Sequence, residues 1–414
     1  MTSLSLLLWI ILGIVLQLAI AIGLLVWRQR QKYHALRSSS PDQVLPIKHG
    51  VEETGAWQGF RPLTVTRKLV EDADGSICSF HLATADGAAL PAFSPGQFLT
   101  FRLDVPMPTG GTEQLIRCYS LSDAPNPASY RVSIKRVPPP AGSSHRPGRS
   151  STYFHDHVEV GTRLQVRAPS GHFHIERSAD PVVLIAGGVG ITPMLSMLNW
   201  CLAEQPGREI WLFYGVRHGR ELAMRAVLEA QAKANPHFHL WRCFSDPLSD
   251  DEAGRDFEHA GRVDIRLLRT QLPLKPYQFY ICGPAPMMES LVPALGDWGV
   301  PDERVHFEAF GPASIKRKQP EQIPRRATGD AITVSFARSG RQLPWQPSCG
   351  SLLEFAEANG VTVDSGCRAG GCGTCQTHLR SGEVDYRQPP DFDPEPGSCL
   401  LCVCTPKSSV ALEL

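Results

Sequence analysis

The stretch from Cys367 to Cys375, CRAGGCGTC, sets three thiols at C-x4-C-x2-C spacing among three glycines. No other short stretch restricts the fold so tightly. Three thiolates on so short a loop converge on one point only if the chain wraps closely around what they hold. Gly370, Gly371 and Gly373 remove the side chains that would obstruct that wrap. Downstream, SCLLCVCTP offers Cys399, Cys402 and Cys404 as a fourth ligand, and this pattern is that of a 2Fe–2S cluster. A zinc ribbon would pair Cys372 and Cys375 with Cys399 and Cys402, but the pairs are too widely spaced and Cys367 is left over.

Of the twelve cysteines, Cys78, Cys118, Cys201, Cys243 and Cys282 stand singly in apolar or motif-bearing stretches. A disulfide scaffold would distribute its bridges, so the pattern predicts a reduced compartment with one thiolate-bound metal group. The 41 basic residues balance 41 acidic ones, which argues against a surface built to neutralise phosphates and predicts no nucleic-acid partner.

At the other end, residues 4–27 (LSLLLWIILGIVLQLAIAIGLLVW) are apolar except for Ser5 and Gln17. As a helix they extend about 36 Å, against a bilayer core of about 30 Å. A membrane-spanning helix is predicted there. No Lys or Arg precedes it, unlike a cleaved signal peptide. Arg28, Arg30, Lys32 and Arg37 follow it, which places the catalytic domains in the cytoplasm.

Residues 28–57 are polar and read as a tether. Over 58–177, β-rich runs such as PLTVTRKLV, SICSFHLAT and GQFLTFRLDV alternate with Pro and Gly, which predicts an antiparallel β-barrel. Over 178–312, strands PVVLIA, EIWLFYGV and YQFYICG alternate with helix-like PMLSMLNWCLAEQ and ELAMRAVLEAQAKA, which predicts an α/β domain on a parallel sheet. Residues 313–330 are basic and broken by Pro, a linker on which the last module can swing. That module, 331–414, has two strand-like runs, a helix at SLLEFAEANG and closing strands around the cysteine loop, an α+β pattern.

Three constellations carry further chemistry. Arg117, Tyr119 and Ser120 supply an arginine for a phosphate, a ring to cover a flavin face and a hydroxyl where a flavin N5 accepts hydride. Gly148 to Thr152 place glycine and hydroxyls at a helix start, where amides hold a pyrophosphate. Gly187, Gly188, Gly190 and Thr192 follow a buried strand and open a helix, which suits the pyrophosphate of a pyridine nucleotide. Alone, Cys282 reads as a small buried hydrophobe.

In chain order, RCYSLSDAPNPASYRVSIKRV, GRSSTYFHDHVEVGTRLQVRAPSGHF, VVLIAGGVGITPML, FYGVRHGRELA, YICGPAPMM and HFEAFGP resemble the ferredoxin–NADP reductase superfamily, nearest to the reductase half of flavohaemoglobins. The resemblance covers about 58–312 and implies an FAD-binding barrel domain, FMN being the alternative, with NADH or NADPH as donor. It implies that Arg117, Tyr119, Ser120, Ser133 and Lys135 line the flavin, and that Ser151 and Thr152 hold its diphosphate. Phe310 would lie near the flavin beside the carboxylate of Glu308. Cys282, Gly283 and Pro284, with Met287 and Met288 behind them, would form the nicotinamide side. Ser120, Cys282 and Glu308 are then the catalytic group. The last module resembles plant-type ferredoxins, whose β-grasp fold closes on C-V-x-x-P; that pattern falls on Cys402 to Pro406 and makes Cys402 the fourth ligand with Cys367, Cys372 and Cys375.

The expectation is a membrane-anchored oxidoreductase that moves electrons from NAD(P)H through FAD and a 2Fe–2S cluster to a separate acceptor protein, an oxygenase or haem enzyme. Its alternatives are a component of an NADH:quinone reductase and a redox sensor without turnover. Arg217, His218 and Arg220 follow FYGV, where the family distinguishes the ribose 2′ group, and leave NADH against NADPH open.

Overall fold

A computed structural model of the chain describes residues 57, 59–107, 110–139, 147–309, 332–366, 368, 370–386, 390 and 392–414. The membrane helix expected at 4–27, most of the tether, the linker at 313–330, Phe310 and Cys367 lie outside the described residues. Among the described residues no helix is long and apolar enough to cross a membrane.

The first domain is a sheet of β1 (Arg61–Val70), β2 (Ile77–Ala83), β3 (Phe98–Pro106), β4 (Thr112–Ser120), β5 (Tyr130–Lys135) and β6 (Arg163–Val166), in the order β4-β3-β6-β1-β2-β5 with every pairing antiparallel. A bridge between Leu121 and Val132 joins the two edge strands and closes the sheet into a barrel. Alternation decides which residues face inward: Leu63 and Val65 of β1 and Leu99, Phe101 and Leu103 of β3 are buried. Helix α1 (Arg149–His157) packs on this core through Phe154, whose ring meets Phe80, Phe101 and Tyr119 edge-on at 5.3, 5.4 and 5.2 Å.

In the second domain, β7 (Val182–Gly187), β8 (Ile210–Val216), β9 (Phe238–Phe244), β10 (His259–Ala260), β11 (Gln278–Gly283) and β12 (Val305–Ala309) form a parallel sheet in the order β10-β9-β8-β7-β11-β12. Helices cover both faces, so β7 and β11 are buried at every position instead of alternating. Helices α2 (Ile191–Glu204) and α3 (Arg225–Ala234) share one core with Leu184, Leu212 and Tyr280, while α4 (Ile265–Gln271) and α5 (Ala285–Asp297) share the other with Ile185, Phe213 and Ile281. The helix expected from Glu221 starts only at Arg225. Met224 is left-handed, with φ of 59°, because its N–H turns away to the carbonyl of Glu71 in the barrel.

The chain order of the strands reverses between β7 and β11, and the crevice at their carboxyl ends is where such sheets bind ligands. Gly190 shapes this crevice. A Cβ on it would lie 2.1 Å from the carbonyl oxygen of Cys282, so only glycine lets the start of α2 rest on the end of β11.

The third domain has β13 (Thr333–Phe336), β14 (Arg341–Pro344), β15 (Gln376–Ser381), β17 (Ser398–Leu400) and β19 (Val410–Leu412) in the mixed order β14-β13-β19-β15-β17, with β16 (Val384–Tyr386) and β18 (Cys404–Pro406) paired separately. Helix α6 (Leu352–Ala358) is capped by Ser351, whose Oγ accepts from the N–H of Glu354, and buries Leu352, Leu353, Phe355 and Ala356.

Gly190→Ala should lower stability by about 1–3 kcal/mol, read as a lower urea midpoint, whereas Gly207→Ala, where a Cβ meets nothing within 4 Å, should leave the midpoint in place.

Candidate functional site

The last residues of β4 carry the flavin-type motif. Tyr119 shares a 2.7 Å hydrogen bond with Ser150 at the start of α1, and its ring is wedged between Phe101 and Phe154. Burial pushes its hydroxyl up to about 12, so it stays protonated. Arg117 donates to the carbonyl of Ile116 at 2.7 Å. Ser120 is buried, and its Oγ donates to Glu308 Oε2 at 3.3 Å across 188 residues, which joins the barrel to the edge of the parallel sheet.

At α1, Gly148 precedes the helix without a side-chain cap, and its first-turn amides have no carbonyl one turn earlier to accept them. The hydroxyl of Ser151 is used locally: it accepts from Val137 N at 3.1 Å and donates to Gly148 O at 3.0 Å. Thr152 Oγ1 is buried with no partner among the described residues. Open amides beside an orphaned hydroxyl fit a group rich in acceptor oxygens, as a diphosphate is. Ser133 is turned inward, 3% exposed, with its Oγ 2.7 Å from that of Ser79 and 2.8 Å from that of Ser122. Its hydroxyl therefore serves the barrel interior. Lys135 ends β5 and faces Glu221: burial alone would push that carboxyl up, but Arg217 and Lys135 outweigh it and hold it below its ordinary range.

In the crevice, Gly188 is left-handed, with φ of 54° and open space where a side chain would be. A Cβ on Gly187 would strike Pro284 Cδ at 2.6 Å, and one on Gly283 would strike Met287 Cε at 2.3 Å. Thr192 donates to Val189 O at 3.1 Å and steadies the turn into α2. These contacts leave backbone at the mouth, where a pyrophosphate approaches. Cys282 lies opposite Glu308 in the β11/β12 register and is fully buried. Burial, then the Glu308 charge, pushes its thiol well above the usual range. Pro284 begins α5, Met287 sits at the rim, and Met288 belongs to the core behind.

In the third domain, Cys375 Sγ and Cys402 Sγ lie 3.2 Å apart, and Cys372 is buried on the same loop. Gly370 and Gly373 are left-handed, and a Cβ on Gly373 would enter the Phe392 ring at 2.6 Å. Arg368 also takes a left-handed conformation, with φ of 57°, held by an ion pair with Glu357 of α6. Cys399 and Cys404 point into the core, 1% and 0% exposed. The bond to Cys399, then burial, pushes the Cys404 thiol far up. Clustered thiols on a glycine-lined loop fit a cluster ligated by Cys372, Cys375 and Cys402.

Sequence reasoning missed the residues that fasten these parts together. Asp123, three residues past Ser120, accepts from Ser196 at its carbonyl and from Asn199 at its carboxylate, both at 2.7 Å, and so ties α2 to the flavin strand. Arg167, just past β6, reaches the cysteine loop, donating to Cys372 O at 3.0 Å. Both lie in stretches that carry the family resemblance, but their roles appear only in pairing across the fold. Of the residues after FYGV, Arg217 is bound to Glu221 at 2.8 Å and Arg220 to Asp74 at 2.7 Å.

Residues 184–292 match the family described as oxidoreductase NAD-binding domain, and residues 336–407 match the 2Fe-2S iron-sulfur cluster binding domain. The chain is 40% identical over 262 residues to a flavohemoprotein of Rhizobium meliloti (strain 1021), covering 63% of each chain, so it spans less than two thirds of that relative's length. It is similar to the solved flavohem-like FAD/NAD binding domain of nitric oxide dioxygenase from Vibrio cholerae O1 biovar El Tor, with a TM-score of 0.53 and 31% identity over 61% of this chain and 100% of that one. It is also similar to phthalate dioxygenase reductase, described as a modular structure for electron transfer from pyridine nucleotides to 2Fe-2S, with a TM-score of 0.52 and 29% identity over 86% of this chain and 98% of that one.

Cys402→Ser should abolish the cluster's visible absorption and leave that of the flavin. Cys399→Ser and Cys404→Ser should keep it, at a cost of about 1–3 kcal/mol for the buried hydroxyl. Intact cluster absorption in Cys402→Ser would remove that residue from the ligand set.

Proposed function

Because the chain belongs to the ferredoxin–NADP reductase superfamily, with a flavin domain and a nucleotide domain joined to a C-terminal 2Fe–2S ferredoxin domain, we propose that it is a membrane-anchored reductase that passes electrons from NADH to a separate protein, an oxygenase or haem enzyme. FAD, when bound, takes two electrons as hydride from NAD(P)H and releases them singly to a cluster that accepts one at a time. The observation that carries the reading is that β4 serves both ends of this route. Tyr119 and Ser120 stand at its finish beside Glu308, while Ile116 meets the cysteine loop, where a Cβ on Gly366 would lie 3.2 Å from its Cγ2.

The protein's own groups then have defined tasks. Arg117 and the first turn of α1 bind phosphate oxygens, and the ring of Tyr119 covers a flavin face. Ser120 keeps its proton directed at Glu308 Oε2, which accepts it, so hydroxyl and carboxylate are oriented before a nucleotide arrives. Cys282 backs the crevice as a neutral thiol and keeps water from the wall behind it. Asp123 fixes the distance from α2 to the flavin strand. NADH is favoured because Arg217 and Arg220 are already committed to Glu221 and Asp74, and a 2′-phosphate would have to displace a carboxylate from either. Cys372, Cys375 and Cys402, with Cys367, would hold the cluster.

Residues 4–27 are the proposed anchor, with the catalytic domains on the cytoplasmic side. The support is the length of the apolar run and the basic flank behind it.

Mixed anaerobically with NADH, the holoprotein should lose flavin absorbance first and cluster absorbance second, and more slowly with NADPH in both phases; a flavin that bleaches beside a cluster that never does would turn the reading toward a sensor. Deleting residues 1–27 should leave flavin reduction unchanged and move the protein from the membrane to the soluble fraction, and a truncated protein that still sediments with membranes would remove the anchor.

A further inference from the structure

Arg167 is held to the barrel by its own N–H, which donates to Thr100 O at 2.9 Å. Its side chain crosses to the third domain. Nη1 donates to the carbonyl of Cys372 at 3.0 Å, and the guanidinium lies 4.8 Å from the Phe60 ring and 5.6 Å from the Phe392 ring. One ring belongs to the barrel and the other to the ferredoxin domain, where Phe392 packs on Gly373 of the cysteine loop. Two lesser contacts flank this clasp, His172 Nε2 to Pro390 O at 3.1 Å and Gly366 against Ile116.

Two details separate Arg167 from ordinary packing. Among the described residues its buried Nε has no protein partner and no carboxylate pairs with it. A positive charge with no carboxylate partner among the described residues thus stands against the peptide of a cluster ligand. Charge and hydrogen bonding around cluster thiolates set the affinity for an electron. If docking brings this charge to the cluster and so favours its reduction, then reduction must favour docking by the same factor.

We propose that Arg167 is a positioning residue for electron transfer, which clasps the cysteine loop to the flavin-binding strand and tightens when the cluster carries the added electron. The inference rests on the reductase reading given above. It gives the ferredoxin domain a reason to stay while it is being reduced and to loosen once it has passed the electron on.

The test uses holoprotein with its cluster either oxidised or reduced by dithionite, and follows amide exchange in peptides covering 98–120 and 364–376. Wild type should exchange more slowly in both peptides when reduced, and Arg167→Met should lose that difference. Arg167→Lys, which keeps the charge but loses the planar fork and the stacking, should fall between. In a redox titration the flavin-to-cluster equilibrium of Arg167→Met should shift toward the flavin by about tenfold, the scale of one charged hydrogen bond. Exchange in wild type that ignores the redox state, or an unshifted equilibrium in Arg167→Met, overturns the proposal. Because dithionite bypasses NADH, a wild-type cluster that NADH cannot reduce would count against the reductase reading alone. Should Arg167→Met fail to fold, Arg167→Lys and His172→Ala carry the same comparison.

Discussion

The arrangement depends on one close approach, the start of α2 resting on the carbonyl of Cys282 with only the α-hydrogens of Gly190 between. Interiors are packed so densely that one methyl group there would have to push the start of α2 off the end of β11. With that contact made, α2 runs back at an angle that delivers Ser196 and Asn199 to Asp123. The same β11 carries Cys282 beside Glu308, and Glu308 reaches Ser120. Two domains with separate cores are thereby given one fixed relation at the place where hydride chemistry would occur.

The flavin strand is more than one wall of a pocket. Its register with β3 pairs Arg117 with Phe101 and Tyr119 with Leu99, so the residues that would meet a flavin are backed by the barrel core. Phe154 completes that backing from α1, the helix whose first turn faces the expected diphosphate. Cofactor affinity and barrel stability therefore share residues: a change at Phe154 reaches Tyr119 through ring contacts and Ser150 through the same helix.

Much of this was legible in the sequence where the chemistry is local. Glycines announced the backbone approaches at 187 and 190, where only the absence of a side chain fits, and the left-handed turn at 188. Cysteine spacing announced the loop at 367–375, and alternation announced the barrel strands. What could not be read was decided by partners distant in the chain. Ser133 carries a motif position yet turns inward to Ser79 and Ser122. Met224 delays the start of an apparent helix because a barrel carbonyl claims its N–H. Arg167 and Asp123 lie within motif stretches without being motif positions, and their importance appears only when residues 205 and 76 positions away come to meet them.

The burial of Cys282 has a consequence for chemical durability. Low-potential electron carriers generate peroxide when oxygen intercepts them, and the form of cysteine that peroxide attacks is the thiolate. Cys282 has no exposed surface, and its surroundings hold it protonated far above neutral pH. A thiol so placed offers its size and polarisability to the site without offering a nucleophile to the oxidants that the site itself would leak. The fold thus protects this sulfur by denying it ionisation, a passive defence that needs no repair.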